Sequence, residues 1–149
     1  HLESLIRSLH EVVPTARDAG IRLGLENLFH IYELPTFEEM KILLEEFQTP
    51  WVGWQLDLGH LQVLSELGVL PYQDWLDHFS PRMIGVHFHD VIGIDDHQAP
   101  GCGDIDFQHI ARHIPQDAHL TLEVAKTLTP QDIHSGLLHL EDKACIKRL

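Results

Sequence analysis

Four short apolar runs, each closed by a residue that can hold a divalent cation, constrain this chain more than any other feature. They are "IRLGLEN" (Ile21 to Asn27), the first part of "WVGWQLDLGHL" (Trp51 to Leu61), "RMIGVHFHD" (Arg82 to Asp90) and "HLTLEV" (His119 to Val124). Val52, Trp54, Leu56 and Leu58 alternate at the period of a strand with one buried face. The polar residues at the run ends are Glu26, Asp57, His87 and Glu123, separated by roughly one strand–helix unit.

Helical signals fill the intervals. Leu2, Leu5, Ile6, Leu9, Val12, Val13 and Ala16 recur at helical spacing, and Gly20 follows as a stop. Thr36 and Glu39 form a capping box ahead of "FEEMKILLEEF", which Pro50 ends. Further helices are expected from about Leu61 to Gly68, over "YQDWLDHF" after Pro71, and over "FQHIARHI" behind Asp106. Thr129 and Pro130 supply the cap and first turn of the last helix. Gly93 to Asp104, rich in Gly and Asp, reads as a loop, and "GDIDF" as a turn plus cap in which Asp104 and Asp106 serve the backbone.

Strands alternating with helices predict an α/β fold: a parallel sheet, strands side by side in chain order, helices outside. Residues 1–149 are expected to form one domain, since the sequence shows no linker and no low-complexity segment. A closed (β/α)₈ barrel usually takes about 250 residues. Four βα units are half of one, and the chain opens in a helix that leads into a strand. The expectation is therefore the C-terminal half of a TIM-barrel-type fold.

Active sites of parallel α/β folds lie at the C-terminal edge of the sheet, so Glu26, Asp57, His87 and Glu123 are expected to converge there. Three carboxylates and an imidazole suit Mn²⁺, Zn²⁺, Mg²⁺ or Fe²⁺, and without a cation the carboxylates would repel one another. Asp57 and His60 alone would read as a helix cap at a strand end; the other three strand ends point instead to a metal or a substrate above them. His87 and His89 share a face only while the strand stays regular, so His87 alone is taken as the ligand. His89 and Asp90 are left to supporting or loop roles. His109, His113, His134 and His139 fall on helical segments and are expected at the surface. Gly101-Cys102-Gly103 lacks the third glycine and preceding strand of a nucleotide fingerprint.

Composition narrows the partners. With 23 acidic against 10 basic residues the formal charge is −13, which weighs against a nucleic-acid footprint, although bound divalent cations would offset part of it. The 13 histidines call for a chemical explanation. No apolar run suits a membrane, the N-terminal stretch has no signal-peptide pattern, and Cys102 and Cys145 have no metal or redox spacing; a cytoplasmic protein is expected.

"LGLEN", "QLDLGH", "VHFHD", "DDHQAPGCGDIDF" and "LTLEV" together resemble the last four strands and loops of the xylose isomerase-like TIM-barrel superfamily. That superfamily includes sugar isomerases and epimerases, inosose dehydratases and metal-dependent abasic-site endonucleases. The resemblance implies that Glu26, Asp57, His87 and Glu123 are the shared ligands of one divalent metal ion. It implies that His60, in a D-x-x-H arrangement, binds substrate in a sugar enzyme or a further metal in an endonuclease. Asp95 and His97 match a D-x-H pair that binds another zinc in the endonucleases. Three departures stand out. Cys102 replaces the Glu common in the G-x-G turn, no arginine of the ketohexose epimerases follows the His-containing strand, and the first-half histidine ligands of the endonucleases have no counterpart.

The implied function is a divalent-metal-dependent sugar or polyol isomerase or epimerase. The ion would chelate adjacent oxygens of an open-chain sugar and stabilise an enediolate. Glu26 and Glu123 would be the catalytic base and acid, and His60 would hold a substrate hydroxyl. One alternative is an abasic-site phosphodiesterase with two or three zinc ions, recruiting His60, Asp95 and His97. Another is an inactive or dimer-dependent half barrel, since half a barrel leaves two strand edges unpaired. The expected partners are a sugar or polyol and either a missing N-terminal half barrel or a second copy.

Overall fold

The computed structural model describes residues 1–30 and 32–147. Helix α1 (Leu2–Asp18) leads into β1 (Leu23–Glu26), followed by α2 (Phe37–Glu46), β2 (Val52–Asp57), α3 (Leu58–Glu66) and α4 (Tyr72–Phe79). After a 3₁₀ turn at Ser80–Arg82 come β3 (Met83–Phe88), β4 (Asp90–Ile92), β5 (Asp95–Gln98), α5 (Phe107–Ala111), β6 (His119–Leu122) and α6 (Pro130–Asp142). The capping boxes form as their sequences require: Thr36 with Glu39 opens α2, and Thr129 with Asp132 opens α6.

Strands β1, β2, β3 and β6 form one parallel sheet in that order. The register sets Leu25 beside Trp54, Asp57 beside His87 and Phe88 beside Leu122, so the polar strand ends fall along one edge. Val52, Trp54, Leu56, Val86 and Phe88 are buried in the core. Trp54 stacks on Trp75 at 6.1 Å and meets Phe79 edge-on at 5.7 Å, which seats α4 against the sheet. On the opposite face Gln55 lies across Gly24 and Gly85, where any side chain would collide with it. Gln55, Ile84 and Thr121 remain half-buried.

Three boundaries differ from expectation. The end strands are shorter, although the Glu123 N–H still bonds the Phe88 carbonyl at 3.0 Å and continues the ladder by one residue. Helix α3 starts at Leu58 rather than near Leu61, because Asp57 caps it and ends the strand alternation one turn early. The expected loop from Gly93 to Asp104 is in its first part an antiparallel hairpin, β4–β5, turning at Gly93 with φ 65°. Its anchor is the buried Asp90 carboxylate, which accepts N–H bonds from Val91, Gly101, Gly103 and Ile105 at 2.8–3.4 Å.

At the other end of the strands Arg82 donates to the carbonyls of Leu44, Phe47, Thr49 and Val52 and closes the end of α2. A cavity of about 670 Å³ opens there beside Arg22, whose guanidinium is held by Asp117. Among the described residues no helix is long and apolar enough to cross a membrane.

Candidate metal centre

Glu26 ends β1, Asp57 ends β2, His87 lies one residue from the end of β3, and Glu123 follows β6. Each offers a ligand atom, and these four atoms all lie within 4.8 Å of one another. His87 Nδ1 sits between the carboxylates: 2.7 Å from Glu123 Oε2, 3.1 Å from Glu26 Oε1 and 3.7 Å from Asp57 Oδ2.

Asp57 is the buried hub. Its Oδ1 accepts the His60 N–H at 2.9 Å as the cap of α3 and also contacts His89 Nε2 at 2.8 Å. Its Oδ2 is buried and has no hydrogen-bond partner among the described residues. A buried carboxylate oxygen left bare costs free energy. Lying 3.7 Å from His87 Nδ1, in a residue grouped with Glu26 and Glu123, it fits a divalent cation. The cap reading and the metal reading of Asp57 are thus compatible, one for each oxygen.

Asn27, also buried, holds Asp57 in place. Its Nδ2–H donates to the Asp57 carbonyl at 2.7 Å, and its Oδ1 accepts the Asp57 N–H and the Trp54 Nε1–H, each at 3.0 Å. This clamp joins the ends of β1 and β2.

The charges respond to this crowding. Burial chiefly, with the negative charges of Asp57 and Glu123, raises the Glu26 pKa, opposed by His87. Burial also works against ionisation of Asp57, but His87 and His89 outweigh it and hold this carboxyl well below the usual range. His87 is pushed up to about 9, most strongly by Asp57, with Glu123 and Glu26 adding to it against the effect of burial. The Asp57 influence leads despite its longer distance because that carboxylate is fully buried, whereas Glu26 and Glu123 are partly solvated. At neutral pH the His87 imidazolium neutralises part of the carboxylate charge, and a metal must displace its proton. Affinity for Mn²⁺ is therefore expected to rise about tenfold per pH unit below pH 8. Titrations at pH 6, 7 and 8 check this, and a flat profile would remove His87 from the ligand set.

His60 lies beside this group. Its Nδ1 is buried without a hydrogen-bond partner among the described residues, 3.4 Å from Asp57 Oδ1, and its Nε2 is 3.7 Å from Asp96 Oδ2. Phe29 stands against its ring at 5.7 Å. Of the D-x-H pair, His97 stands with His60 and His89, and Asp95 is not in that group. Asp95 is exposed, and its Oδ2 accepts a hydrogen bond from Gln98. Asp96, not Asp95, faces both His60 and His97. The alternation fails because His97 adopts φ 56°, which breaks the strand period.

His87 and His89 both reach Asp57, one on each carboxylate oxygen, and only His87 stands in the group with Glu26 and Glu123. Of the histidines expected at the surface, only His134 is exposed. His109 bonds Gln73 at 2.5 Å, His139 packs edge-on to Phe107, and His113 is half-buried. Asp106 caps α5 through the His109 N–H, as expected. Both cysteines are free; the buried Cys145 Sγ–H donates to the Phe107 carbonyl, and burial pushes its thiol up to about 12.

A sequence model of the xylose isomerase-like TIM barrel family matches residues 1–143. The chain belongs to that family. Among solved members of this fold it superposes on a D-tagatose 3-epimerase-like protein with TM-score 0.74 and 25% identity, covering 95% of this chain and 54% of that one. It superposes on 3-keto-D-glucoside 4-epimerase YcjR from E. coli with TM-score 0.75 and 18% identity, covering 95% and 53%. It superposes on the IolI protein with a bound zinc atom at TM-score 0.73 and 19% identity, covering 96% and 56%. The last two likenesses speak to the fold alone. An uncharacterized protein of Methanocaldococcus jannaschii, MJ1311, is 27% identical over 118 residues, which is 77% of this chain and 40% of that protein. This xylose isomerase-like chain therefore spans about half the length of the relatives it matches.

Proposed function

We propose that this chain carries the metal-binding and proton-transfer part of a divalent-metal-dependent sugar or polyol isomerase or epimerase. The observation that carries the reading is the buried Asp57 carboxylate, grouped with Glu26, His87 and Glu123, whose Oδ2 has no hydrogen-bond partner among the described residues. Those four residues would hold one divalent ion, Mn²⁺, Zn²⁺, Mg²⁺ or Fe²⁺. Once bound, such an ion supplies Lewis-acid polarisation of a carbonyl oxygen. Glu26 and Glu123 approach from strands at opposite ends of the sheet order, so one carboxylate can take a proton from the carbon beside that carbonyl while the other returns one. His60 Nδ1 is buried beside the cluster without a hydrogen-bond partner among the described residues, which supports a role for this side chain in holding a substrate hydroxyl. The D-tagatose 3-epimerase-like relative supports a sugar as substrate. A cytoplasmic role in carbohydrate metabolism is the setting this reading implies.

The phosphodiesterase alternative is weaker on this geometry. It calls on Asp95 as a ligand to a further zinc, and Asp95 is exposed and bonded to Gln98.

The test combines metal counting with isotope exchange. The assembled protein is loaded with Mn²⁺ and incubated in D₂O with a panel of ketohexoses. The expected result is one ion per chain and deuterium at the carbon beside the carbonyl, lost on chelation. Two or three zinc ions per chain with cleavage of abasic-site DNA would replace this reading with the phosphodiesterase.

A further inference from the structure

We infer that His89 is a positioning residue of the metal centre: held as its Nε2–H tautomer, it fixes Asp57 Oδ1 so that Asp57 Oδ2 stays turned toward Glu26, His87 and Glu123. The inference rests on the metal reading above.

His89 is fully buried, and both of its ring nitrogens are engaged. Its Nδ1 lies 2.8 Å from the backbone nitrogen of His97. A backbone N–H can only donate, so Nδ1 accepts and carries no proton. In the neutral ring the proton then sits on Nε2, which donates to Asp57 Oδ1 at 2.8 Å. His60, His89 and His97 do bring ring nitrogens within 4.8 Å of one another. With both nitrogens of His89 taken, that trio lacks a third free donor.

The ring has a prepared seat. A Cβ at Gly59 would fall inside the His89 imidazole. Gly59 therefore lets the first turn of α3 pass directly beneath the ring. On the other side His97 stacks on it at 4.3 Å and 11°, and His60 stands edge-on at 5.5 Å. The seat and the two hydrogen bonds leave the ring one orientation. His97 N–H belongs to the β4–β5 hairpin, whose register Asp90 anchors, so the hairpin fixes the His89 tautomer and His89 fixes Asp57. Partners that orient metal ligands in this way typically contribute about 10–100-fold to metal affinity.

Two substitutions separate the two bonds. In His89→Gln an amide N–H can occupy the place of Nε2–H and reach Asp57, while the acceptor for His97 is lost. In His89→Asn the amide oxygen can replace Nδ1 as acceptor for His97, and nothing reaches Asp57. Mn²⁺ is titrated into each variant and the unaltered chain, and ring-nitrogen NMR records the His89 tautomer in the unaltered chain. The expected pattern is an Nε2–H tautomer, an affinity about 10–100-fold weaker in His89→Asn, and most of the affinity retained in His89→Gln. Merely structural support of the hairpin would give the reverse order. The inference is overturned by an Nδ1–H tautomer, by unchanged affinity in His89→Asn, or by equal losses in the two variants. Should His89→Asn not fold, the tautomer and the His89→Gln titration decide. If the unaltered chain binds no Mn²⁺, the metal reading fails and takes this inference with it. Binding by the unaltered chain that His89→Asn leaves undiminished sinks the inference alone.

Discussion

Replacement of Glu123 by glutamine is expected to slow proton exchange by about 10²–10⁴-fold while leaving most of the Mn²⁺ affinity in place. The amide oxygen keeps a lone pair for the metal, but the group no longer has a basic oxygen to accept a proton. Glu123 is suited to both tasks. One oxygen, Oε2, lies 2.7 Å from His87 Nδ1 inside the cluster, while Oε1 lies 3.9 Å from His97 Nε2. Its side chain is 43% exposed, the most open of the four, so a substrate can reach it without displacing packed residues. Deuterium exchange and Mn²⁺ titration on the same preparation check the prediction. Unchanged exchange would remove Glu123 from proton transfer. Loss of metal in step with exchange would leave it as a ligand only.

The parts of this protein legible in its sequence are those in which local chemistry and tertiary demand agree. Val52, Trp54 and Leu56 alternate because one face of β2 packs on helices, and that same period delivers Asp57 to the opposite face at the sheet edge. Thr36 and Thr129 announce their helices by bonds within three residues. The illegible parts depend on partners distant in sequence. Asn27 looks like the end of a strand, and its role exists only because the β1–β2 register sets it beside Asp57, thirty residues on. The β4–β5 hairpin has little strand propensity in "DDHQ"; it forms because Asp90 gathers N–H groups as far away as Ile105. Asp96 faces His60 and His97 because His97 adopts φ 56°, a backbone choice that the sequence does not display. The glycine of "DLGH" is small because a ring lies on it, and that ring is His89.

Purified alone, the 149-residue chain is expected to self-associate rather than behave as a stable monomer. Strands β1 and β6 each pair with one neighbour in the sheet, so each has an outer edge of unpaired N–H and C=O groups. Leu120 in β6 and Ile21 just before β1 are exposed. Neither strand carries the proline or inward lysine that commonly protects an edge. The sheet face that bears Gln55 is also uncovered: Gln55 and Ile84 are only half-buried, as is Thr121 in the end strand, where a closed barrel would bury such residues in layers. Pairing β1 of one copy with β6 of another satisfies both edges, and a two-fold arrangement makes eight strands around one interior. It would also bring a second set of Glu26, Asp57, His87 and Glu123 to the rim, so metal stoichiometry per assembly reports on closure independently of mass. Sedimentation velocity over a concentration series gives the mass, and thermal unfolding at the same concentrations should show a midpoint that rises with concentration. A monodisperse monomer that unfolds cooperatively at every concentration would overturn the prediction, because these edges would then have to be covered within a single chain.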